Sequence, residues 1–176
     1  MSRFINKIFS LLVLTLIILP QVCIGEEVKA DTGQKDDPAF LSIGAGYYDF
    51  NRKKETGKEF RAEYRSDKKL SIFRPFAAFS ATNTSQGFIG AGILLDIYVG
   101  RRFVMTPSFA PHYYWGGNKK LDLGHSIEFR SQMEFAYRLD NRSRLGMAIS
   151  HYSNAGIGST NPGTETATVY FSVPLR

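Results

Sequence analysis

Near its C-terminal end the chain carries a histidine, a serine and a glutamate at spacings that a β-hairpin would turn into neighbours: His151, Ser153 and Glu165. Imidazole, hydroxyl and carboxylate are the parts of a nucleophilic triad. In a triad the imidazole takes the serine proton and the carboxylate orients the imidazole. Side chains of an extended chain alternate between faces, so His151 and Ser153 share a face, about 7 Å apart along the strand. Directly opposed residues on neighbouring strands lie closer, about 5 Å apart. A strand returning from residue 164 could therefore bring Glu165 to His151. Polar residues also gather at strand ends for no catalytic reason, and parity alone leaves both readings standing.

The elements that must position these groups are strands. From Phe40 onward a period of two recurs and a helical period is hard to find. Glycine occurs 16 times and aromatics make up 14% of the chain, which fits strands joined by tight bends. Eight strands are expected: 39–50, 58–66, 70–82, 87–99, 101–115, 121–140, 143–153 and 164–175. In 121–140 one face collects Leu123, Ile127, Phe129, Met133, Phe135, Tyr137 and Leu139. The other collects Glu128, Arg130, Gln132, Glu134 and Arg138. The second strand repeats the division, with Phe60, Ala62 and Tyr64 against Glu59, Arg61, Glu63 and Arg65.

A soluble sandwich also alternates. Three features favour an all-β, eight-stranded antiparallel transmembrane barrel, with an apolar exterior and a polar lumen. An export leader precedes it. Several strands exceed ten residues, enough to cross a bilayer at a tilt. Aromatics lie near many strand ends. The gaps after strands two, four and six are read as short, and those after one, three, five and seven as long. Outer-membrane barrels have short periplasmic turns and longer outside loops, so strand seven would run outward and end at the cell surface. On that strand Leu145, Met147 and Ile149 share a face with His151 and Ser153. On the eighth, Ala167, Val169, Phe171, Val173 and Leu175 share a face with Glu165. All three polar groups would then project outward at the upper rim.

Residues 1–25 read as a signal peptide. Arg3 and Lys7 supply the positive start, and an apolar run follows from Ile8 to Leu19, too short to span a membrane as a helix. Cys23 lies just before the expected cleavage point. A lipoprotein cysteine there is disfavoured, because Val22 stands where a small residue is required. Residues 26–38 form a polar N-terminal lead-in and 39–176 the barrel. Without the leader the chain has no cysteine, hence no disulfide or thiol chemistry. It then carries 20 basic against 16 acidic residues. No basic run suggests nucleic-acid binding.

Other eye-catching residues are read as structural. His112 shares the parity of Thr106 and Ser108, and Asp96 that of the lumen, where each would join a polar network. His125 shares the outward parity of Ile127. With Asp122 it makes a weak metal pair, because two residues three apart on a strand lie on opposite faces. Tyr113, Tyr114 and Trp115 read as an aromatic girdle at the upper interface.

The stretch His151-Tyr152-Ser153-Asn154-Ala155-Gly156, followed by Asn161-Pro162-Gly163-Thr164-Glu165, closely resembles the signature of the PagL-like lipid A 3-O-deacylases. That resemblance implies an eight-stranded outer-membrane barrel that hydrolyses the ester-linked acyl chain at position 3 of lipid A. It makes Ser153 the nucleophile, His151 the general base and Glu165 its orienting acid. It further assigns the Asn154 side chain and the Gly156 backbone N–H to an oxyanion hole. The scheme requires no metal and no cofactor. Its partners are lipid A or lipopolysaccharide and the lipid of the outer membrane. A homodimer is compatible with it. The active site would face the outer leaflet. One departure is the C-terminus, Pro174-Leu175-Arg176, where many outer-membrane barrels end in an aromatic residue. Two other functions compete: a non-catalytic structural or small-pore barrel, and an acyltransferase that passes the chain to an acceptor other than water.

Overall fold

The period-two pattern becomes one continuous antiparallel ladder. The structure is a computed structural model and describes residues 37–175. The expected leader, its Cys23, most of the 26–38 segment and Arg176 lie outside the described residues. Among those described are nine strands: β1 Phe40–Tyr48, β2 Gly57–Arg65, β3 Arg74–Thr82, β4 Gly87–Leu94, β5 Ile97–Val99, β6 Phe103–Trp115, β7 Ile127–Arg138, β8 Arg144–Ser153 and β9 Thr164–Pro174. Their order is β4-β3-β2-β1-β9-β8-β7-β6-β5, and β4 also pairs with β6. Leu94 faces Ser108 and Ile97 faces Met105, so β4 and β5 lie on β6 in a single register and form two halves of one stave. The break falls opposite Pro107, which has no N–H to give. One bond remains there, from the Leu95 N–H to the Pro107 carbonyl at 3.0 Å. With β4 and β5 counted once, the chain is a closed eight-stranded antiparallel barrel. Closure gives every described strand but β5 a partner on both edges, and β5 pairs with β6 alone.

The two faces decide which solvent the barrel is built for. Large apolar side chains cover the outside, among them Ile43, Phe60, Ile89, Phe109, Phe135, Met147 and Val169. In water so continuous an apolar surface would drive aggregation; in a bilayer it is the required exterior. Tyr113 and Trp115 stack at one end of this band, and Phe103 meets Tyr137 edge-on at the other. The inside is ionic. Arg65 binds Glu63 and Glu134, Arg130 binds Glu63, and Arg61 binds Glu59, all essentially without solvent contact. Lower down, Asp96 accepts from Arg74, Arg144 and Thr106, the lumenal network anticipated for it. Buried charges are tolerable only when paired in this way. A lumen so filled leaves no wide pore, as eight strands dictate.

Three expectations fail at the ends of the barrel. The strand read from residue 121 begins at Ile127. Residues 121–126 leave the ladder, and Leu121 and Leu123 turn inward to seal the mouth with Tyr48, Phe88, Tyr114 and Tyr152. Leu123 is therefore not on the outer face. Tyr114 belongs to that inner cluster too, with its ring 5.0 Å from Phe88, and only Tyr113 and Trp115 join the girdle. Finally, β3 starts at Arg74 and a small turn closed by Leu70 and Phe73 precedes it, so the gap after β2 is long and the gap after β3, residues 83–86, is short. The end carrying the β1–β2, β6–β7 and β8–β9 loops still bears the longer connections.

Candidate active site

β8 alternates from Arg144, buried, through Leu145, Met147 and Ile149, exposed, to His151 and Ser153 on that same outer face. Inward neighbours Ser150 and Tyr152 sit in the lumen and fix the parity. On β9, Val169, Phe171 and Val173 point out, and Glu165 shares their parity. The β8–β9 register places His151 directly opposite Glu165. His151 Nδ1 lies 3.1 Å from Glu165 Oε1. An ionised carboxylate only accepts, so Nδ1 carries the proton and Nε2 is left as the basic nitrogen. Ladder pairing with β9 stops at Tyr152 and Thr164, and Ser153 closes β8 at the loop end of the hairpin. Its opposite number on β7 is Phe129. The structure thus brings His151 and Glu165 into contact and sets Ser153 two residues further along the same face.

Arg52 completes the setting and was not anticipated. Its Nε donates to Glu165 Oε2 at 3.1 Å and to Oε1 at 3.3 Å, and its Nη2 donates to Oε1 at 3.1 Å. It comes from the β1–β2 loop, on the flank of β9 away from β8. Asp49 anchors that loop. It sits buried with φ +52, takes the Glu55 N–H on Oδ2 at 2.8 Å, and accepts the Thr164 hydroxyl on Oδ1 at 3.2 Å. The one sequence sign of Arg52 is the basic run Arg52-Lys53-Lys54 in a loop at the site's end of the barrel.

The two expected oxyanion donors are differently employed. The Asn154 side chain is buried and its amide nitrogen donates to the Leu123 and Thr160 carbonyls at 3.0 and 2.7 Å. Both hydrogens are then used, so this side chain offers no free donor. Its Oδ1 accepts the Gly156 N–H at 2.9 Å. Asn154 instead ties the β6–β7 loop to the β8–β9 loop and shapes the turn that follows Ser153. That turn closes with the Ile157 N–H on the Asn154 carbonyl at 3.1 Å. Ala155 and Gly156 have φ +55 and +82, the signs of a primed turn, in which glycine is at ease.

Of the other histidines, His112 is buried in the lumen, with Nδ1 3.1 Å from the Ala110 carbonyl. His125 does not stand on an outer strand face. It is half-buried in the β6–β7 loop, and its Nδ1 accepts the Ile127 N–H at 2.9 Å.

With this geometry in hand, the relatives are informative. Residues 78–174 match the family described as lipid A 3-O-deacylase (PagL), which is more than half of the chain. The protein belongs to that family. The lipid A deacylase PagL of Pseudomonas aeruginosa is 26% identical over 106 residues, covering 60% of this chain and 53% of that protein. The chain thus spans about half the length of the curated relative it matches. Among solved structures, the outer membrane enzyme PagL superposes with a TM-score of 0.61 at 18% identity, covering 77% of this chain and 99% of that one. Neisserial surface protein A gives 0.56 at 10% identity, covering 78% and 97%. A de novo designed transmembrane β-barrel gives 0.55 at 12% identity, covering 81% and 98%. At these identities the likeness is one of fold.

Proposed function

We propose that this barrel is a serine esterase of the outer membrane that hydrolyses the acyl ester at position 3 of lipid A. The observation that carries the reading is the His151–Glu165 hydrogen bond on the lipid-facing side of the last hairpin, with Ser153 on the same face. Solubility does not call for polar groups there, and charge on a lipid-facing surface is unfavourable. A site facing outward near the rim suits a lipid whose ester bonds lie where acyl chains join the sugar.

In this reading His151 Nε2 takes the proton of the Ser153 hydroxyl as Oγ attacks the ester carbonyl. The imidazolium gives that proton to the departing sugar 3-oxygen. Water, deprotonated by the same nitrogen, then cleaves the acyl-enzyme and the fatty acid leaves. Glu165 keeps Nδ1 protonated and supports the imidazolium. The oxyanion would draw on the Gly156 N–H, shared between Asn154 Oδ1 and the substrate oxygen, with Asn154 holding the turn. Oxyanion donors usually contribute a large part of the catalytic effect.

The test is purified, folded protein incubated with lipid A in mixed micelles and followed by mass spectrometry. One hydroxyacyl chain should leave each lipid A and appear as free acid. An acylated acceptor would mark a transferase, and intact lipid A would refute the proposal.

Gly163 gives a finer check. It has φ +60, and a Cβ there would meet the Tyr152 carbonyl at 3.0 Å and both Arg52 Nη2 and His151 Cε1 at 3.3 Å. Gly163→Ala is expected to lose about 1–2 kcal/mol of stability through left-handed strain. Turnover should fall about tenfold, equivalent to ~1.4 kcal/mol at the transition state. Urea unfolding and initial rates measure the two effects separately. A variant indistinguishable from the parent in both would show that the site tolerates displacement there.

A further inference from the structure

We propose that Arg52 is a positioning residue of this active site: a guanidinium clamp, laid by the β1–β2 loop across Glu165, that fixes the carboxylate plane so that Oε1 meets His151. The proposal rests on the esterase reading above. Its basis is the way Glu165 is shared. Oε1 faces His151 Nδ1 at 3.1 Å and also takes Arg52 Nη2 at 3.1 Å, while Oε2 takes Arg52 Nε at 3.1 Å. A carboxylate held by one imidazole alone can swing about its terminal torsion, which is broad. The planar fork of arginine removes that freedom, because two parallel donors define the plane of the acceptor. The guanidinium also offsets the charge of a carboxylate on a lipid-facing wall, where an unpaired one is costly.

The clamp is built in rather than incidental. The Arg52 side chain is 27% exposed and that of Glu165 is 11% exposed, so the pair is largely withdrawn from solvent. The loop that carries Arg52 is fastened at Asp49, which bonds the Thr164 hydroxyl next to Glu165 in sequence. A further tie runs from the Lys53 N–H to the Asp49 carbonyl at 3.1 Å. The Phe50 N–H also reaches the Glu165 carbonyl, at 3.3 Å. The backbone that carries Arg52 is thus tied directly to the backbone that carries Glu165.

The experiment measures kcat and KM for lipid A in mixed micelles with Arg52→Gln, Arg52→Lys and Ser153→Ala. It adds Glu165→Ala alone and combined with each Arg52 change, assayed at high enzyme concentration. Folding of each is confirmed by resistance to SDS without heating. Arg52→Gln should lower kcat about 10- to 100-fold, the scale of a misplaced catalytic group, with KM within about twofold. Arg52→Lys should recover part of the loss, since it keeps the charge but not the fork. In the Glu165→Ala background the Arg52 changes should cost nothing further, because groups acting as a unit are not additive. If Arg52→Gln fails to fold, the Arg52→Lys pair carries the same comparison. Three results overturn the proposal: a parental kcat, an undiminished loss in the Glu165→Ala background, or a rise in KM at constant kcat. The last would mean that Arg52 grips an anionic group of the lipid. Activity surviving in Ser153→Ala would instead remove the esterase reading, whatever Arg52 does.

Discussion

Ser153→Ala is expected to lower lipid A deacylation by about ten-thousandfold or more while leaving the barrel folded. The size follows from the role. Without the hydroxyl there is no covalent intermediate, and what remains is the background from binding and oxyanion stabilisation, which in serine hydrolases lies several orders of magnitude below the intact triad. The fold should not suffer. Ser153 ends β8 on the outer face, beyond the last β8–β9 ladder pair, and removing one oxygen there disturbs no lumenal contact. Initial rates on lipid A, with SDS resistance as the folding check, make the comparison. A rate within tenfold of the parent would mean that another group attacks the ester.

The second large effect lies in the lumen and concerns stability. Glu63 is fully buried, with Oε1 accepting from Arg65 Nε at 2.9 Å and Oε2 from Arg130 Nη2 at 2.8 Å. Glu63→Ala leaves Arg65 with Glu134 but strips Arg130 of its carboxylate. Breaking one side of a buried ion pair is strongly unfavourable, about 3–5 kcal/mol, because the surviving charge stays desolvated. Urea unfolding in detergent micelles should therefore show a lower midpoint with an unchanged slope. Replacing Glu63 together with Arg130 by apolar residues of similar bulk, with the Arg65–Glu134 pair kept, should restore much of the loss, since an apolar core needs no pairing. A Glu63→Ala midpoint equal to the parent's would mean that water reaches Arg130. These side chains point into the lumen, whereas His151 and Ser153 lie on the outer face of the wall, so the rate of the folded fraction should barely move.

Much of this was readable from residue order because strand parity is rigid. Once Ile149 faces lipid, His151 and Ser153 must follow while the ladder lasts, and Glu165 is tied likewise to Val169 and Phe171. The ionic lumen was legible for the same reason, in Glu59 to Arg65 and Glu128 to Arg138. Parity says nothing once the backbone leaves the ladder. Residues 121–126 kept an alternating pattern, yet they fold over the mouth, because Leu121 and Leu123 bury more apolar surface among Tyr48, Phe88 and Tyr152 than they would at the rim. Tyr114 was legible, since it shares the parity of His112, but its aromatic neighbours suggested a girdle instead. Arg52 was not, because its contact with Glu165 depends on how a loop between β1 and β2 folds back over β9. The same holds for Asn154, whose amide serves carbonyls at residues 123 and 160 that no local spacing relates to it.

On the proposed reading the Ser153 hydroxyl is an activated nucleophile opening toward lipid. Treating the folded barrel with a long-chain alkyl fluorophosphonate, then mapping the adduct by peptide mass spectrometry, tests it most directly. The expected result is one adduct, on Ser153, that lipid A slows and His151→Ala abolishes. A barrel that deacylates lipid A while Ser153 stays unmodified, or that is labelled equally well without His151, would contradict it.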